Sequence, residues 1–466
     1  MDVEEVDLLV VGGGKAGKSL AMDVARAGRS VAMVERAMIG GTCINVACIP
    51  TKTIINSGRL LKDARRAAEF GITGVEHPRV DIDLLRLRKE DVVGTMVNGQ
   101  LASFTGSGMD FILGEAKFVA PRTVEVAVND GGTRRLRGSD VVVNLGTEPL
   151  LPDIKGLAES AVQTSNTLLN LESLPESIIV LGGGYVGCEF ADFLNTVGVT
   201  VTIIQRHDQL LPREDGDIAG AIERAFRDAG ITVRLGASAE SISRAEDGLV
   251  SVTLSSGETV TAADILVAVG RTPVTVGANL EEAGIHIDPR GFIQVDEHLR
   301  TSAEHVWAAG DAAGTPQFTH ASYDDYRVLK ANLAAQNGQE ELRSTQGRLI
   351  PYCVFTTPEL GRVGLTEAEA RGAGYDVRVA RMPVTAIPRA RTLGHLEGMW
   401  KALVDRDTNK ILGAALLGTE ASEALAVVQL AMLAGMEYTA VRDAIISHPT
   451  IAEGLNLLFT PAYLEP

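Results

Sequence analysis

The sequence predicts an α/β protein in which one strand–turn–helix–strand motif occurs twice. Residues 8–35 contain an apolar strand, the glycine-rich turn GGGKAG, a helix and a second strand. Residues 178–205 repeat these elements in the same order around the turn GGGYVG, and the two copies align without an insertion. Continuous apolar strands are typical of parallel sheets covered on both faces, so we predict two doubly wound, Rossmann-like domains. Two unrelated glycine-rich turns in ordinary α/β domains are the alternative.

The composition argues against several classes of protein. The chain has 466 residues and a net charge of -17, whereas a nucleic-acid-binding protein carries a basic surface. It contains no run of about 18 apolar residues, so no transmembrane helix is predicted. Its acidic start, MDVEE, lacks the basic and apolar regions of a signal peptide, and we therefore expect a cytoplasmic protein. Four cysteines are too few for a disulfide-stabilised scaffold.

The first glycine-rich turn is predicted to bind FAD through Gly12, Gly14 and Gly17. Glycines at this spacing let backbone N–H groups approach a pyrophosphate at the start of a helix. Glu35 lies about 20 positions after Gly14, the spacing at which a carboxylate accepts hydrogen bonds from ribose hydroxyls. This arrangement suits an unphosphorylated adenosine ribose, as in FAD.

The second turn is predicted to bind a nicotinamide nucleotide through Gly182, Gly184 and Gly187. Gln205 replaces the acidic residue and does not repel a 2′-phosphate. Arg206 and His207 follow it directly, and a guanidinium group suits bidentate contacts with phosphate. We therefore predict NADPH, with NADH as the alternative if these two side chains are only a solvated strand end.

Cys43 and Cys48 lie five positions apart in the segment GTCINVACIPTK. A regular helix would separate them by roughly 7.5 Å along its axis and by about 140° around it. A disulfide needs Cα atoms within about 7 Å, so a bonded pair requires an irregular backbone here. We expect a helix from Pro50, which places Cys48 just before its N-terminus, where a thiolate is stabilised, and near Lys52. Zinc binding is the alternative, but the two further ligands that it needs are not evident.

A candidate acid–base pair, His448 and Glu453, occurs near the end of the chain in the segment SHPTIAE. Pro449 is predicted to be the first residue of a helix, with His448 just outside it and Glu453 about one turn in. An imidazole held by a carboxylate is suited to proton transfer near neutral pH. A histidine that merely caps a helix is the alternative.

On these motifs the sequence resembles the class I pyridine nucleotide–disulfide oxidoreductases, which include glutathione reductase, lipoamide dehydrogenase and mercuric reductase. The resemblance covers nearly the whole chain. The segments 14–18, 318–327 and 386–391 are similar to those of the reactive-chlorine-resistance flavoprotein branch. The resemblance implies an FAD-dependent NAD(P)H:disulfide or oxidant oxidoreductase with a small-molecule substrate. Dihydrolipoamide dehydrogenase, a mercuric or copper reductase, and a flavin-bound redox sensor with little turnover are the alternatives.

The resemblance also implies residue roles. Cys43 would be the interchange thiol and Cys48 the thiolate beside the flavin. Lys52 would pair with Glu189 near the flavin. The His448–Glu453 dyad would enter the active site of the other subunit of a homodimer, so that the subunits share active sites. Further contacts are expected, by position, with FAD at Gly41, Thr42, Lys52, Ala116 (in an adenine-side turn formed by residues 114–116, which begins at Gly114), Gly146 and Asp311, and with NAD(P)H at Gly270 and Arg271.

Three domains are expected on this basis. The FAD domain would comprise residues 1–150 and 275–345, and the NAD(P)H domain residues 151–274. An α+β dimerisation domain would follow at 346–466, with strands near 377–379 and 402–404.

Overall fold

The computed structural model describes residues 2–335 and 341–466, which form two compact units. The first unit comprises Met1–Thr53, Asp83–Leu150 and Arg271–Arg348. The second unit comprises Ile54–Ile82, Leu151–Gly270 and Leu349–Pro466. The three domain boundaries expected from the sequence stay a prediction.

The strands and helices alternate along the part of the chain that contains the glycine-rich turns. The strands are β1 (Glu4–Val11), β2 (Val31–Glu35), β3 (Asp110–Ala120), β4 (Thr123–Val128), β5 (Thr133–Val143), β6 (Thr147–Pro149), β7 (Ser177–Leu181), β8 (Thr200–Ile204), β9 (Thr232–Arg234), β10 (Ala239–Arg244), β11 (Val250–Leu254), β12 (Thr259–Ala262), β13 (Asp264–Val267), β14 (Arg271–Pro273), β15 (Val306–Ala308), β16 (Tyr352–Val354), β17 (Leu360–Gly364), β18 (Val377–Pro383), β19 (Met399–Asp405) and β20 (Ile411–Leu417). The α-helices are α1 (Lys15–Arg26), α2 (Thr42–Asn45), α3 (Cys48–Arg65), α4 (Ile82–Thr105), α5 (Tyr185–Thr196), α6 (Gly216–Asp228), α7 (Thr319–Ala335), α8 (Glu367–Gly372), α9 (Pro388–Leu393), α10 (Ala421–Leu433), α11 (Tyr438–Arg442) and α12 (Gly454–Leu458). Across the described residues, none of these helices has both the length and the apolar character that crossing a membrane requires.

The first unit is built on a twisted sheet with the parallel order β3-β2-β1-β5-β15. Strand β4 pairs antiparallel with both β3 and β5, which extends the sheet as a meander. Leu8, Leu9 and Val10 of β1 are fully buried, as the continuous apolar run predicts. Leu20 of α1 and Leu329 of α7 pack into the same core cluster as Leu8 and Val10, so both helices cover one face of the sheet.

The second unit repeats the motif and adds two antiparallel sheets. Its parallel sheet has the order β13-β7-β8-β9, so β7–α5–β8 repeats β1–α1–β2. Strands β10-β11-β12 form one antiparallel sheet, and β16-β17-β20-β19-β18 form the other. The strands expected near residues 377–379 and 402–404 lie within β18 and β19 of this last sheet. Two doubly wound motifs and an α+β C-terminal region thus confirm the predicted fold class.

The third glycine of each turn is required by packing between the helix and the strand. A Cβ atom on Gly187 would lie 2.0 Å from the carbonyl oxygen of Gly182, and one on Gly17 would lie 2.7 Å from that of Gly12. Gly184 differs, because a Cβ atom there would have no heavy atom within 4 Å. The last glycine of each turn therefore lets the helix approach the strand, whereas Gly184 leaves open space at the start of α5.

Two predicted local structures are wrong at their boundaries. Helix α3 begins at Cys48 rather than Pro50. The N–H groups of the first turn of a helix have no partner within the helix, so proline, which lacks an N–H, is tolerated as the third residue of α3. No helix begins at Pro449, and α12 begins at Gly454, one residue after Glu453. The N–H groups of Gly454 and Asn456 bond to carbonyl groups three residues earlier, so a tight turn precedes this short helix.

The adenine-side turn expected at residues 114–116 is also wrong. These residues lie inside β3, where Gly114 pairs with Val128 and Ala116 with Val126 of β4. A Cβ atom on Gly114 would lie 2.6 Å from the carbonyl oxygen of Ala127. The glycine therefore serves close strand pairing and not a change of chain direction.

Replacing Gly187 with alanine is expected to destabilise the protein. The added methyl group would meet the backbone of Gly182 at 2.0 Å, and overpacking of this kind costs about 1–3 kcal/mol. Thermal unfolding followed by circular dichroism should therefore show a lower Tm. Gly184→Ala is the matched control, because its Cβ has open space at φ −81. Equal Tm values for the two variants would contradict the close packing of α5 on β7.

Candidate active site

Cys43 and Cys48 are brought together by a break between two helices. Cys43 lies in the short helix α2, the chain leaves helical geometry at Val46 with φ −140 and ψ 14, and Cys48 begins α3. The two thiols are not joined in a disulfide, are half-buried and are hydrogen-bonded to each other. This is the irregular backbone that their five-residue spacing requires if they are to bond.

The loop before α2 packs directly on the first glycine-rich turn. Gly41 has φ 77, and a Cβ atom there would lie 3.2 Å from the carbonyl oxygen of Gly13 and from the Cα of Gly14. The Asn45 side chain donates hydrogen bonds of 2.9 Å to the carbonyl groups of Ile39 and Gly41. The redox pair is therefore held beside the start of α1, together with the neighbouring Thr42.

Thr319, the first residue of α7, contacts both sulfur atoms. Its Oγ1 lies 3.5 Å from the Sγ of Cys48, and it also forms a hydrogen bond with Cys43. The sequence predicted no role for this residue, although it lies in the segment 318–327, because it is 271 positions from Cys48 and no local pattern connects the two. Only the fold brings it to the pair.

The electrostatics of the pair differ for the two sulfurs. The pKa of Cys43 is raised well above its usual value, first by the hydrogen bond with Cys48, then by burial and by negative charge on Cys48. Thr319 and Lys18 act in the opposite direction but do not reverse the effect. A negative charge on Cys48 in the reduced pair therefore favours the protonated form of Cys43.

A half-buried charged group, Arg271, lies near the pair in the same unit. Arg271 donates to the Oγ1 of Thr147 at 2.8 Å and to its carbonyl oxygen at 2.6 Å. Thr147 in turn donates to Asp311 at 2.7 Å, and burial raises the pKa of Asp311. Burial lowers the pKa of Arg271, while the charges of Asp311 and Cys48 oppose that change. Arg271 therefore contacts residues of the unit that contains the first glycine-rich turn. Gly270, which precedes it in the chain, is the last residue of a segment that belongs to the second unit.

The start of α1 has the donors that a dinucleotide pyrophosphate needs. The N–H of Ala16 donates to Ser322 at 3.2 Å, and that of Gly17 donates to the Asn144 side chain at 3.0 Å. Within the described chain, the N–H groups of Gly14 and Lys15 have no acceptor, and the first turn has no acidic residue. Unpaired N–H groups at a helix start bind anions, so these residues fit the phosphates of FAD.

Glu35 closes the first glycine-rich turn. One carboxylate oxygen accepts the N–H of Gly13 at 2.8 Å, and the other accepts those of Ala37 and Met38 at 3.0 Å. Gly146 follows β5 and has φ 72, and a Cβ atom on this residue would have no heavy atom within 4 Å. The carboxylate is therefore fixed at the strand end, and its contact with a ribose stays a prediction.

The second glycine-rich turn has the same open helix start. Gly184 precedes α5 without a side-chain cap, and the first turn of α5 has no acidic residue. Gln205 is buried and donates to the carbonyl oxygen of Gln209 at 3.3 Å. Arg206 and His207 are exposed, with the Nε of Arg206 3.3 Å from the Nε2 of His207. A cationic side chain and an imidazole thus lie together where the sequence predicts the 2′-phosphate.

The remaining cysteines and the predicted Lys52–Glu189 pair have less defined roles. Glu189 is buried and accepts the N–H of Phe355 at 3.0 Å, while Lys52 belongs to the other unit, so their pairing stays a prediction. Cys188 is fully buried, and Cys353 packs at the edge of a core cluster. Among the residues with described positions, no group of three His, Cys, Asp or Glu side chains could hold a metal ion.

His448 and Glu453 form the predicted dyad despite the different helix start. Nδ1 of His448 lies 2.8 Å from Oε2 of Glu453, and because a carboxylate only accepts hydrogen bonds, Nδ1 donates. The His448 side chain is 71% exposed, whereas that of Glu453 is 11% exposed. The carboxylate therefore orients the imidazole and leaves its other nitrogen accessible from outside the chain.

Comparison with known proteins identifies the family. The family described as pyridine nucleotide-disulphide oxidoreductase matches residues 6–325, and its dimerisation domain matches residues 350–458. A protein of Escherichia coli named "probable pyridine nucleotide-disulfide oxidoreductase RclA" is 39% identical over 97% of this chain and 98% of its own length. A dihydrolipoyl dehydrogenase of Thermus scotoductus is 35% identical over 96% of this chain and 95% of its own.

A solved structure described as the "Cu(II) complex of HOCl-induced flavoprotein disulfide reductase RclA from Escherichia coli" is similar throughout. It matches with a TM-score of 0.90 and 38% identity, over 98% of this chain and 99% of that one. The resemblance inferred from the motifs is thereby confirmed. This chain belongs to the pyridine nucleotide-disulfide oxidoreductases, flavoprotein enzymes that use FAD, a pyridine nucleotide and a redox-active disulfide, and it carries their dimerisation domain.

Proposed function

We propose that this protein oxidises NADPH and passes two electrons, through FAD, to the Cys43–Cys48 pair, which then reduces a small-molecule disulfide or oxidant. The observation that carries the proposal is the hydrogen-bonded pair of thiols at the break between α2 and α3, beside the first glycine-rich turn. Bound FAD would supply the two-electron relay between the nicotinamide and the disulfide.

The two thiols have different roles in this reaction. Cys48 holds the negative charge of the reduced pair, because its charge is what keeps Cys43 protonated. With a disulfide substrate, Cys43 loses its proton and attacks one sulfur, which breaks the substrate S–S bond and releases one thiol. Cys48 then attacks the sulfur of Cys43, which re-forms the protein disulfide and releases the second thiol.

The glycine-rich turns would hold the two dinucleotides. Two observations support this part of the proposal: the N–H groups of Gly14 and Lys15 that have no acceptor in the described chain, and the start of α5, which has no side-chain cap. The residues proposed for FAD are Gly12, Gly14, Gly17, Glu35, Gly41, Thr42, Lys52, Ala116, Gly146 and Asp311. Those proposed for NADPH are Gly182, Gly184, Gly187, Gln205, Arg206, His207, Gly270 and Arg271.

The His448–Glu453 dyad would transfer the proton at the substrate. Since Cys43 does not ionise readily beside a charged Cys48, its attack needs a base, and the leaving thiolate needs an acid. His448 is oriented by Glu453 and exposed on the chain surface, so it is available to a second subunit. We therefore propose a cytoplasmic homodimer in which the dyad of one subunit completes the active site of the other.

The substrate class is open between a disulfide, a reactive chlorine or thiocyanate species, and a metal ion such as Cu(II). Similarity to a dihydrolipoyl dehydrogenase keeps that activity as an alternative. A redox sensor with little turnover is the alternative of another class. Steady NADPH consumption with lipoamide, glutathione disulfide, hypochlorous acid, hypothiocyanous acid or a metal ion would identify the enzyme and rank its substrates. Negligible turnover with every acceptor would favour the sensor.

Anaerobic titration with NADPH should generate two thiols and a long-wavelength absorption band from a thiolate beside oxidised flavin. Cys48→Ser should lack the band, because it removes the sulfur that carries the charge. Cys43→Ser should show the band before any NADPH is added, because Cys48 then has no disulfide partner. A wild-type protein without the band, or a Cys48→Ser protein that keeps it, would remove the disulfide mechanism.

His448→Gln should slow the oxidative half-reaction by roughly 10²–10⁴-fold, because a positioned acid–base group contributes that much. Glu453→Gln should cause a smaller loss, since the ring remains but its orientation is less fixed. Stopped-flow reduction of the pair by NADPH is the internal control and should be unchanged in both variants. An equal slowing of both half-reactions would contradict a role confined to the substrate side.

Arg206→Ala should raise the KM for NADPH by about 10–100-fold, the equivalent of a lost charged hydrogen bond of about 1.5–3 kcal/mol. The KM for NADH should stay nearly constant, because that nucleotide lacks the 2′-phosphate. Arg224→Ala, at an exposed position on α6, is the matched control for loss of one charge. An equal rise in the KM for both nucleotides would indicate that Arg206 does not contact the 2′-phosphate.

A further inference from the structure

Lys18 is a buried lysine whose position the proposed reaction does not explain. It lies on α1, in the segment 14–18, and its relative exposure is only 4%. Its Nζ donates to the carbonyl oxygen of Gly40 at 2.8 Å, its one hydrogen bond with the described part of the chain. An ammonium has three donors, and lysine is rarely this buried unless it is paired.

A buried position such as that of Lys18 would stabilise an apolar side chain better than a charge. A methionine at position 18 would fill the same length without the cost of burying an ammonium. Retaining the charge here therefore requires a compensating interaction beyond packing.

Lys18 is anchored to the loop that leads to the redox pair. Gly40, whose carbonyl group accepts the hydrogen bond from Lys18, lies three residues before Cys43. The chain turns at this point, where the N–H of Gly41 donates to the carbonyl oxygen of Met38 at 2.8 Å. Two titratable groups act on the ammonium, Lys15 of its own helix and Cys43 of the loop. The influence is mutual, since Lys18 lowers the pKa of Cys43 while other contacts raise it.

We propose that Lys18 is a positioning residue of the redox pair, whose anchored ammonium stabilises the Cys43 thiolate during its attack on the oxidised substrate. This inference rests on the proposed function and adds a second group to it. His448 removes the proton from outside the chain, and Lys18 offsets, from inside, the negative charge that then forms next to charged Cys48. The stabilisation does not depend on which oxidised sulfur, halogen or metal species the enzyme reduces.

The charge on Lys18 gives this role a defined pH dependence. Burial, together with the nearby charge of Lys15, lowers the pKa of Lys18 to about 8, while charge on Cys43 acts in the opposite direction. Because the ammonium is present below that pH and lost above it, its help to Cys43 is greatest near neutral pH and fades as the pH rises through about 8. A purely steric role would have no such dependence.

The test is the rate at which iodoacetamide alkylates Cys43 in the anaerobically reduced holoenzyme, measured by peptide mass spectrometry between pH 6 and 10. Lys18→Met should slow alkylation at pH 7 by about tenfold, which corresponds to one unit of thiol pKa. The deficit should shrink as the pH rises through about 8. Lys117→Met, which removes an exposed lysine from β3, is the charge-matched control and should behave as wild type.

A rate equal to wild type at every pH, or a deficit of the same size at every pH, would overturn the proposal. Flavin absorbance reports whether Lys18→Met folds. If it does not fold, Lys15→Met supplies the test, because it keeps Lys18 and removes a neighbour that lowers its pKa. The pH at which Lys18 stops accelerating the alkylation of Cys43 should then be higher than in wild type. An unchanged dependence of the alkylation rate on pH would contradict the role.

The design separates this inference from the proposed function. Reduction with dithiothreitol prepares the dithiol form even if NADPH does not reduce the pair. Wild-type protein that gains no thiols from NADPH would refute the proposed function. The comparison of Lys18→Met with wild type after chemical reduction would still decide the role of Lys18.

Discussion

The contact between the sulfur atoms of Cys43 and Cys48 is the constraint on which the rest of the site depends. Five residues of regular helix would turn the two side chains apart, so the chain must leave helical geometry at Val46 and resume it at Cys48. That break is possible because Gly41, in a left-handed conformation, lets the preceding loop lie against the first glycine-rich turn. The same close approach places the pair beside the helix start that is suited to FAD.

Charge at the pair is distributed by groups from distant parts of the chain. The hydrogen bond and the negative charge of Cys48 hold the proton on Cys43, and Thr319 contacts both sulfurs. Lys18 is a buried cation that acts on Cys43, and Arg271 is a half-buried cation that acts on Cys48. In a poorly solvated site such interactions are stronger than in water. The fold therefore brings groups from distant parts of the chain to act on the charge of the two sulfurs.

The sequence predicted those features of the structure that depend on residues close together in the chain. The duplicated motif, the strand-end residues and the cysteine spacing all act within a few dozen residues, and each is recovered in the structure. Thr319 could not be predicted, because only the packing of α7 brings it to Cys48. The tight turn before α12 was missed because a proline is compatible with both a turn and a helix start. Gly114 was placed in a turn, since a glycine in a strand and a glycine in a loop look alike without knowledge of the pairing strand.

The two copies of the glycine-rich motif share one backbone arrangement and differ in the residues at one strand end. In both, the third glycine allows the helix to cross its strand, and the helix start keeps N–H groups that a phosphate can use. They differ at the end of the second strand. The Glu35 carboxylate accepts the N–H of Gly13 and closes the first turn, whereas the Gln205 amide donates to Gln209 and leaves the strand end to Arg206. Because the backbone arrangement is shared, we propose that the choice between dinucleotides depends on this strand-end position and its exposed neighbours.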